Sequence, residues 1–277
     1  MKSGIVIINK PTGCTSRFIV DKLGKYYQTK KIGHAGTLDP LATGVLIILV
    51  NKATKLERYL MSEDKEYLVE MELGKKSDTL DITGEVSEVP YKLEDEDLVK
   101  SKINSFIKSY DQEVPLYSAV KVNGRKCYEY ARAKQKVKLP IKSVTIKAIE
   151  NIVILPPKIS FRVTVSKGTY IRSLVRDIGN LLGTEAIVTK LERRRQGLYS
   201  INEAITIDDE LSLISIDKIF AKTPKIEVDD LTYYRVKNAN TIENEKNLDY
   251  ACIYYQEKLI AIYQRHQGIL MKPLIIL

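Results

Sequence analysis

The sequence predicts an α+β fold: a mixed, mainly antiparallel central sheet flanked by helices, with a small β-rich appendage at the C-terminal end. Three observations predict it. Apolar periodicity switches between the two-residue repeat of strands and the 3.6-residue repeat of helices. The switches follow neither a regular strand-helix-strand order nor a fixed internal repeat, which argues against a doubly wound sheet. Near Lys222–Asp230 the pattern breaks, where KTPKIEVDD combines proline with charge. The break divides the 277 residues into a main domain, 1–222, and a small one, 223–277. The small domain can bury little core alone and is expected to lean on the first.

A five-residue apolar run before Asn9 and Lys10 makes the opening strand; it is too short for a signal peptide or a membrane span. Thr15 or Ser16 can cap a short helix whose apolar positions Ile19, Val20 and Leu23 keep helical spacing until Gly24, a residue suited to a helix C-terminus. Val45–Val50 is a continuous run of branched apolar residues, as in a strand buried on both faces. From Lys65 to Leu73 the period becomes two, with Tyr67, Val69, Met71 and Leu73 on one face and Leu68, Glu70 and Glu72 on the other. Asn123-Gly124 marks a hairpin with a basic tip. Phe161, Val163 and Val165 alternate as a strand and Lys167-Gly168 turns the chain. Ile171, Leu174, Val175, Ile178, Leu181 and Leu182 then follow at helical spacing, which puts Tyr170 and Arg172 at a helix start. Beyond the break, Asp249–Tyr263 reads as two short strands around Gln256–Lys258.

An apolar fraction of 44% and a charged fraction of 29% exclude a disordered or fibrous chain. With 44 Lys and Arg against 35 Asp and Glu, the formal charge of +9 draws the chain toward polyanions without choosing one. Cys14, Cys127 and Cys252 are odd in number and far apart, so neither a disulfide framework nor a CxxC metal knuckle fits. A cytoplasmic location without membrane association is expected.

The segment GHAGTLDPLATG, residues 33–44, places three glycines and a single acid in front of the buried strand. Glycine permits unusual dihedrals and close approach of a ligand, while Pro40 biases Asp39 away from helical geometry. A Walker-type phosphate cradle fails, because no Gly-Lys-Ser/Thr ends the segment and Asp39 would repel phosphate. Taken alone, the loop fits an Asp-Pro turn as well as a reactive carboxylate.

This loop resembles the signature loop of the TruB family of tRNA pseudouridine synthases, and further blocks of that family lie in order along the chain. Ile8–Gly13 resembles its Lys-Pro opening and Lys65-Glu66-Tyr67 its tyrosine strand. Leu73-Gly74 with Ser77–Asp81 is similar to its TDTxD block, Pro115–Lys121 to its P-x-x-S-A-x-K hairpin, and Ser166–Arg172 to its SKGTYIR turn. Two stretches depart from the family: Ala133 and Lys134 stand where a glycine often follows Arg132, and the tail matches the family's C-terminal PUA-type domain only weakly.

The resemblance implies the pseudouridine synthase fold with a shortened PUA-like tail, and isomerisation of uridine 55 in the tRNA T loop. It implies Asp39 as the catalytic carboxylate, kept charged by Arg172. Tyr67 and Tyr170 would lie against the base, Leu191 would form a pocket wall, and His34 would enter the stack that the flipped uridine leaves. The reaction exchanges an N1–C1′ bond for a C5–C1′ bond and moves neither electrons nor phosphate. No metal, nucleotide or organic cofactor is therefore expected. Lys10, Lys121, Arg125, Lys126, Arg132, Lys190, Arg193, Arg194 and Arg195 are the candidates for gripping the RNA backbone of a T stem-loop, with the protein acting as a monomer. Asp78 and Asp81 lack the EF-hand spacing and are expected to cap a loop. Two other readings compete. A non-catalytic RNA-binding or tRNA-folding protein would use the same basic face and tolerate Asp39→Asn, whereas a sugar hydrolase would pair Asp39 with Glu66 or Asp81.

Overall fold

Strand and helix propensities resolve into two large sheets and two two-stranded ribbons among the described residues of the computed structural model, which describes residues 2–92 and 95–277. The larger sheet has ten strands. From one edge its main path runs Ile214–Ser215, Gly4–Lys10, Thr43–Val50, Ala186–Gln196, Lys65–Leu73, Lys158–Val165, Ile141–Leu155 and Ser109–Glu113. All its pairings are antiparallel except one: Thr43–Val50 meets Ala186–Gln196 in parallel register through Thr43–Glu192 and Gly44–Arg193. The mixed, mainly antiparallel sheet is therefore as the sequence predicts.

Alternation along the two strands Gly4–Lys10 and Thr43–Val50 explains why both read as continuous apolar runs. Val6, Ile8, Leu46, Ile48 and Val50 face one core, which is covered by Ile19, Val20 and Leu23, Val99 and Ile103, and Leu174, Val175 and Ile178 from three helices. Those helices are Ser16–Tyr26, Glu96–Asn104 and Ile171–Leu181. Ile5, Ile7, Val45, Ile47 and Leu49 face the other core. There Leu56, Leu60 and Phe220 pack with Cys252, Ile262 and Ile275 of the tail. The tail therefore does lean on the main body, through an apolar face that neither part buries alone.

The first helix is capped by Thr15, whose hydroxyl accepts from Phe18 N at 3.1 Å. It continues past Gly24 to Tyr26, two residues beyond the predicted stop. Gly24 serves space instead of termination: a Cβ there would lie 3.2 Å from Thr29 O and 3.3 Å from Ile32 Cγ2 as the chain doubles back. Asn123-Gly124 forms the tight hairpin between Lys121–Val122 and Arg125–Lys126, with both central residues at positive φ. The second sheet, five strands ordered Lys225–Glu227, Tyr250–Tyr255, Lys258–Arg265, Leu270–Ile276 and Ile242–Glu243, contains the two predicted tail strands. It also contains three strands, beside a helix Asp230–Lys237, that the apolar pattern does not announce. Among the described residues no helix is long and apolar enough to cross a membrane.

Candidate active site

Asp39 lies in the loop joining the short strand Ile32–His34 to the central strand Thr43–Val50. The loop is tied down carbonyl by carbonyl. Gln196 Nε2 donates to Ala35 O at 2.6 Å and Arg193 Nη2 to Gly36 O at 3.0 Å. Ser16 Oγ donates to Leu38 O at 2.9 Å and accepts from Leu38 N at 2.8 Å. Ala42 N closes a turn on Asp39 O at 3.0 Å, Gly13 N reaches Pro40 O at 2.9 Å, and Thr12 Oγ1 reaches Leu41 O at 3.1 Å. A loop whose backbone acceptors are satisfied in this way has little freedom to move its carboxylate. Gly44 allows the close packing at its far end: its φ is +97°, and a Cβ would lie 2.3 Å from Arg193 O.

Arg172, the second residue of the helix Ile171–Leu181, faces the loop. Its Nε meets Asp39 Oδ2 at 2.9 Å, while Nη1 donates to Thr79 O at 2.7 Å and Nη2 to Tyr117 O at 3.0 Å. Two carbonyls from separate loops thus hold the guanidinium in one plane, the geometry a lysine could not reproduce. Asp81 Oδ2 lies 3.8 Å from the same Nε. Its Oδ1 accepts from Thr79 Oγ1, Thr83 N and Thr83 Oγ1, and Asp78 accepts from Glu85 N and the Tyr117 hydroxyl, so both acids cap their loop.

Asp39 and Arg172 open on a cavity of about 180 Å³ that Tyr67, Tyr170, Leu191 and Ser118 also line. Leu191 pairs with Val69, and Arg193 with Tyr67, on adjacent antiparallel strands. Tyr67 and Leu191 are therefore diagonal neighbours and make a continuous apolar floor. Tyr170 precedes the helix and donates its backbone N–H to Gln112 Oε1 at 2.8 Å. Burial first, and then the Asp39 carboxylate, push its phenol above its ordinary value, so it stays a neutral hydroxyl at pH 7. Ser118 Oγ is buried beside the Tyr170 hydroxyl, without a hydrogen bond of normal geometry.

A family model described as TruB family pseudouridylate synthase (N terminal domain) matches residues 24–171. A protein of Mesoplasma florum named tRNA pseudouridine synthase B is 43% identical, over 98% of this chain and 96% of its own. One of the same name from Fusobacterium nucleatum is 37% identical, over 97% of this chain and 98% of its own. The chain belongs to the TruB family of pseudouridylate synthases. Among solved structures, a chain of an H/ACA RNP bound to a substrate RNA containing 2'-deoxyuridine covers 99% of this chain, and 84% of its own, with a TM-score of 0.70. At 22% identity, that is a likeness of fold.

In this TruB-family synthase five of the residues singled out in the sequence converge on one cavity: Asp39, Tyr67, Tyr170, Arg172 and Leu191. His34 does not line it. It sits at the end of the strand Ile32–His34, paired with Ile48, and its Nδ1 is buried without a partner. Burial, and then the charge of Arg193, push its pKa below the ordinary value, so the ring is neutral at pH 7.

The basic candidates separate into three groups. Lys121, Arg125, Lys126 and Arg132 lie on the hairpin and the helix Cys127–Arg132, where Arg125 covers the Tyr130 ring at 4.6 Å and Arg132 the Tyr128 ring at 5.2 Å. Lys190, Arg194 and Arg195 are each paired with an acid: Glu70 at 3.0 Å, Glu192 at 3.2 Å and Glu66 at 3.8 Å. Lys10 and Arg193, expected at the RNA-gripping surface, are not there. Both are buried and cannot reach an RNA backbone. Lys10 Nζ donates to Pro11 O and Cys14 O, each at 2.8 Å, and burial lowers its pKa. Arg193 Nε donates to Val45 O at 2.7 Å, beside its bond to Gly36 O. The sequence offers Ser16 only as a helix cap and does not single out Gln196; their partners in the Asp39 loop lie 22 and 161 residues away, and no local pattern announces such bonds.

Proposed function

We propose that this enzyme converts uridine 55 of the tRNA T loop to pseudouridine, with Asp39 acting on a uridine flipped out of the loop. The observation that carries the reading is the Asp39–Arg172 pair at the mouth of a small, apolar-floored cavity. At about 180 Å³ the cavity is well below the roughly 300–1,000 Å³ of pockets for drug-sized ligands, a volume suited to one flat base. Tyr67 and Leu191 offer that base a surface, and Tyr170 offers a neutral hydroxyl at its edge. Arg172 Nε, 2.9 Å from Asp39 Oδ2, orients the carboxylate for attack on sugar or base or for removal of a sugar proton. The relatives named tRNA pseudouridine synthase B support tRNA as the substrate.

In this reading His34 fills the vacated stack as a neutral ring, and the hairpin cations grip phosphate. Residues 223–277 act as a shortened PUA-like domain, and the protein works as a cytoplasmic monomer without metal or nucleotide cofactor. The hydrolase alternative is disfavoured because Asp81 Oδ1 accepts three hydrogen bonds within its own loop and Glu66 faces Arg195; neither lines the cavity that Asp39 opens on. The test is to incubate the protein with an unmodified tRNA transcript and map pseudouridine. Product at T-loop position 55, lost in Asp39→Ala, is expected; no product there, or full activity from Asp39→Ala, overturns the proposal.

A further inference from the structure

Arg193 stands in a run of three arginines, yet it is 1% exposed while its two neighbours reach solvent. A register shift between Arg193 and Arg195 on the strand Ala186–Gln196 makes the difference. Strict alternation would put positions 193 and 196 on opposite faces. The bulge turns both inward, and Gln196 is as buried as Arg193.

Turned inward, Arg193 touches both ends of the loop that carries Asp39. Its Nη2 holds Gly36 O at 3.0 Å on the way in, and its Nε holds Val45 O at 2.7 Å on the way out. Its backbone is in parallel register with Gly44, whose lack of a Cβ permits the contact. The guanidinium is a rigid planar fork, so these bonds set the separation across the neck of the loop. No carboxylate among the described residues pairs with it. A buried cation held by two carbonyls is a costly way to fill a core, and an apolar side chain would fill it at less expense.

We propose that Arg193 is a positioning residue: it clamps the neck of the loop so that Asp39 is presented to the base at a fixed depth. It touches neither RNA nor the reacting atoms. The inference rests on the proposed function for its kinetic readout, while its structural readout stands apart.

The experiment compares full-length wild type, Arg193→Lys and Arg193→Met on an unmodified tRNA transcript. Single-turnover rate at saturating RNA, binding at several salt concentrations and amide exchange of residues 35–42 are measured. A misplacement of about 1 Å can cost on the order of 100-fold in rate, so a loss approaching that is expected for Arg193→Met, with a smaller loss for Arg193→Lys, which keeps the charge but not the two-point hold. Binding and its salt dependence stay as in wild type, and the loop exchanges faster in both variants. A wild-type rate in either folded variant overturns the clamp. So does weaker binding with a shallower salt dependence, the mark of a phosphate that Arg193 had been holding. If Arg193→Met does not fold, Arg193→Lys decides by the same criteria. If wild type makes no pseudouridine, the proposed function fails, and the clamp is still judged by whether residues 35–42 exchange faster in Arg193→Lys.

Discussion

The Arg172 side chain is 7% exposed, and the Asp39 carboxylate it meets at 2.9 Å is 37% exposed. The arginine belongs to the protein interior, fixed by Thr79 O and Tyr117 O, whereas the acid faces the cavity. The two halves of the pair should therefore fail differently. Arg172→Met leaves two carbonyls without their donor and is expected to lower stability by about 2–4 kcal/mol as well as activity. Asp39→Asn keeps the shape of a half-buried side chain and an acceptor for Arg172, so stability should change little while the rate falls about 1,000-fold or more. Chemical denaturation beside single-turnover kinetics separates the two; equal stability losses would contradict the asymmetry.

What was legible in the sequence follows from how local each cause is. Val45–Val50 reads as a doubly buried strand because every side chain of that run is apolar, and the hairpin at Asn123-Gly124 reads from two residues that tolerate positive φ. The start of the arginine helix is equally local. Arg193 is misread as a surface cation because its carbonyls are brought to it by the fold, from residues 148 and 157 positions away; Lys10 bonds carbonyls one and four residues on, and only the burial of its strand in the sheet takes it from the surface. The strand Leu270–Ile276 is hidden by Pro273, which the sheet accepts beside a register shift opposite Ile262-Tyr263. The helix Asp230–Lys237 carries no clear apolar stripe, since Leu231 and Tyr234 are exposed and Tyr233 stacks on Tyr255. The five cavity residues come from four separate stretches of chain, and only the family resemblance gathers them before the fold does.

The basic residues differ in how free they are to meet phosphate. Lys121 and Arg125 are exposed on the hairpin, and Arg194 is already paired with Glu192 at 3.2 Å. Replacing Lys121 and Arg125 together by glutamine should weaken tRNA binding and flatten its dependence on log salt by roughly 0.7–0.9 for each phosphate no longer neutralised. Arg194→Gln should do less, because the arginine must give up an acid before gaining a phosphate. Titrations across a range of salt concentrations test the order, and a larger effect from Arg194 would reverse it.

Ser118 Oγ is buried beside the Tyr170 hydroxyl but makes no hydrogen bond of normal geometry. Removing an unsatisfied hydroxyl takes away a desolvation cost without breaking a bond, so Ser118→Ala should leave stability unchanged or raise it by up to about 1 kcal/mol. Thermal and urea unfolding measure this. A clear loss of stability would mean that the hydroxyl is bonded in solution.

His34 gives the protein a predictable response to acid. Its folded pKa is lowered, chiefly by burial and then by Arg193, below the 6.5 of a free imidazole. Above that value the ring is neutral in both states and contributes nothing to the pH dependence. As pH falls through 6.5 the unfolded chain takes up a proton that the folded protein refuses, and stability declines until the folded pKa is reached. The melting temperature should therefore fall between pH 7.5 and 5, and His34→Asn, which cannot bind the proton in either state, should fall less steeply over the same range. Identical slopes for the two proteins would assign the acid sensitivity to other groups.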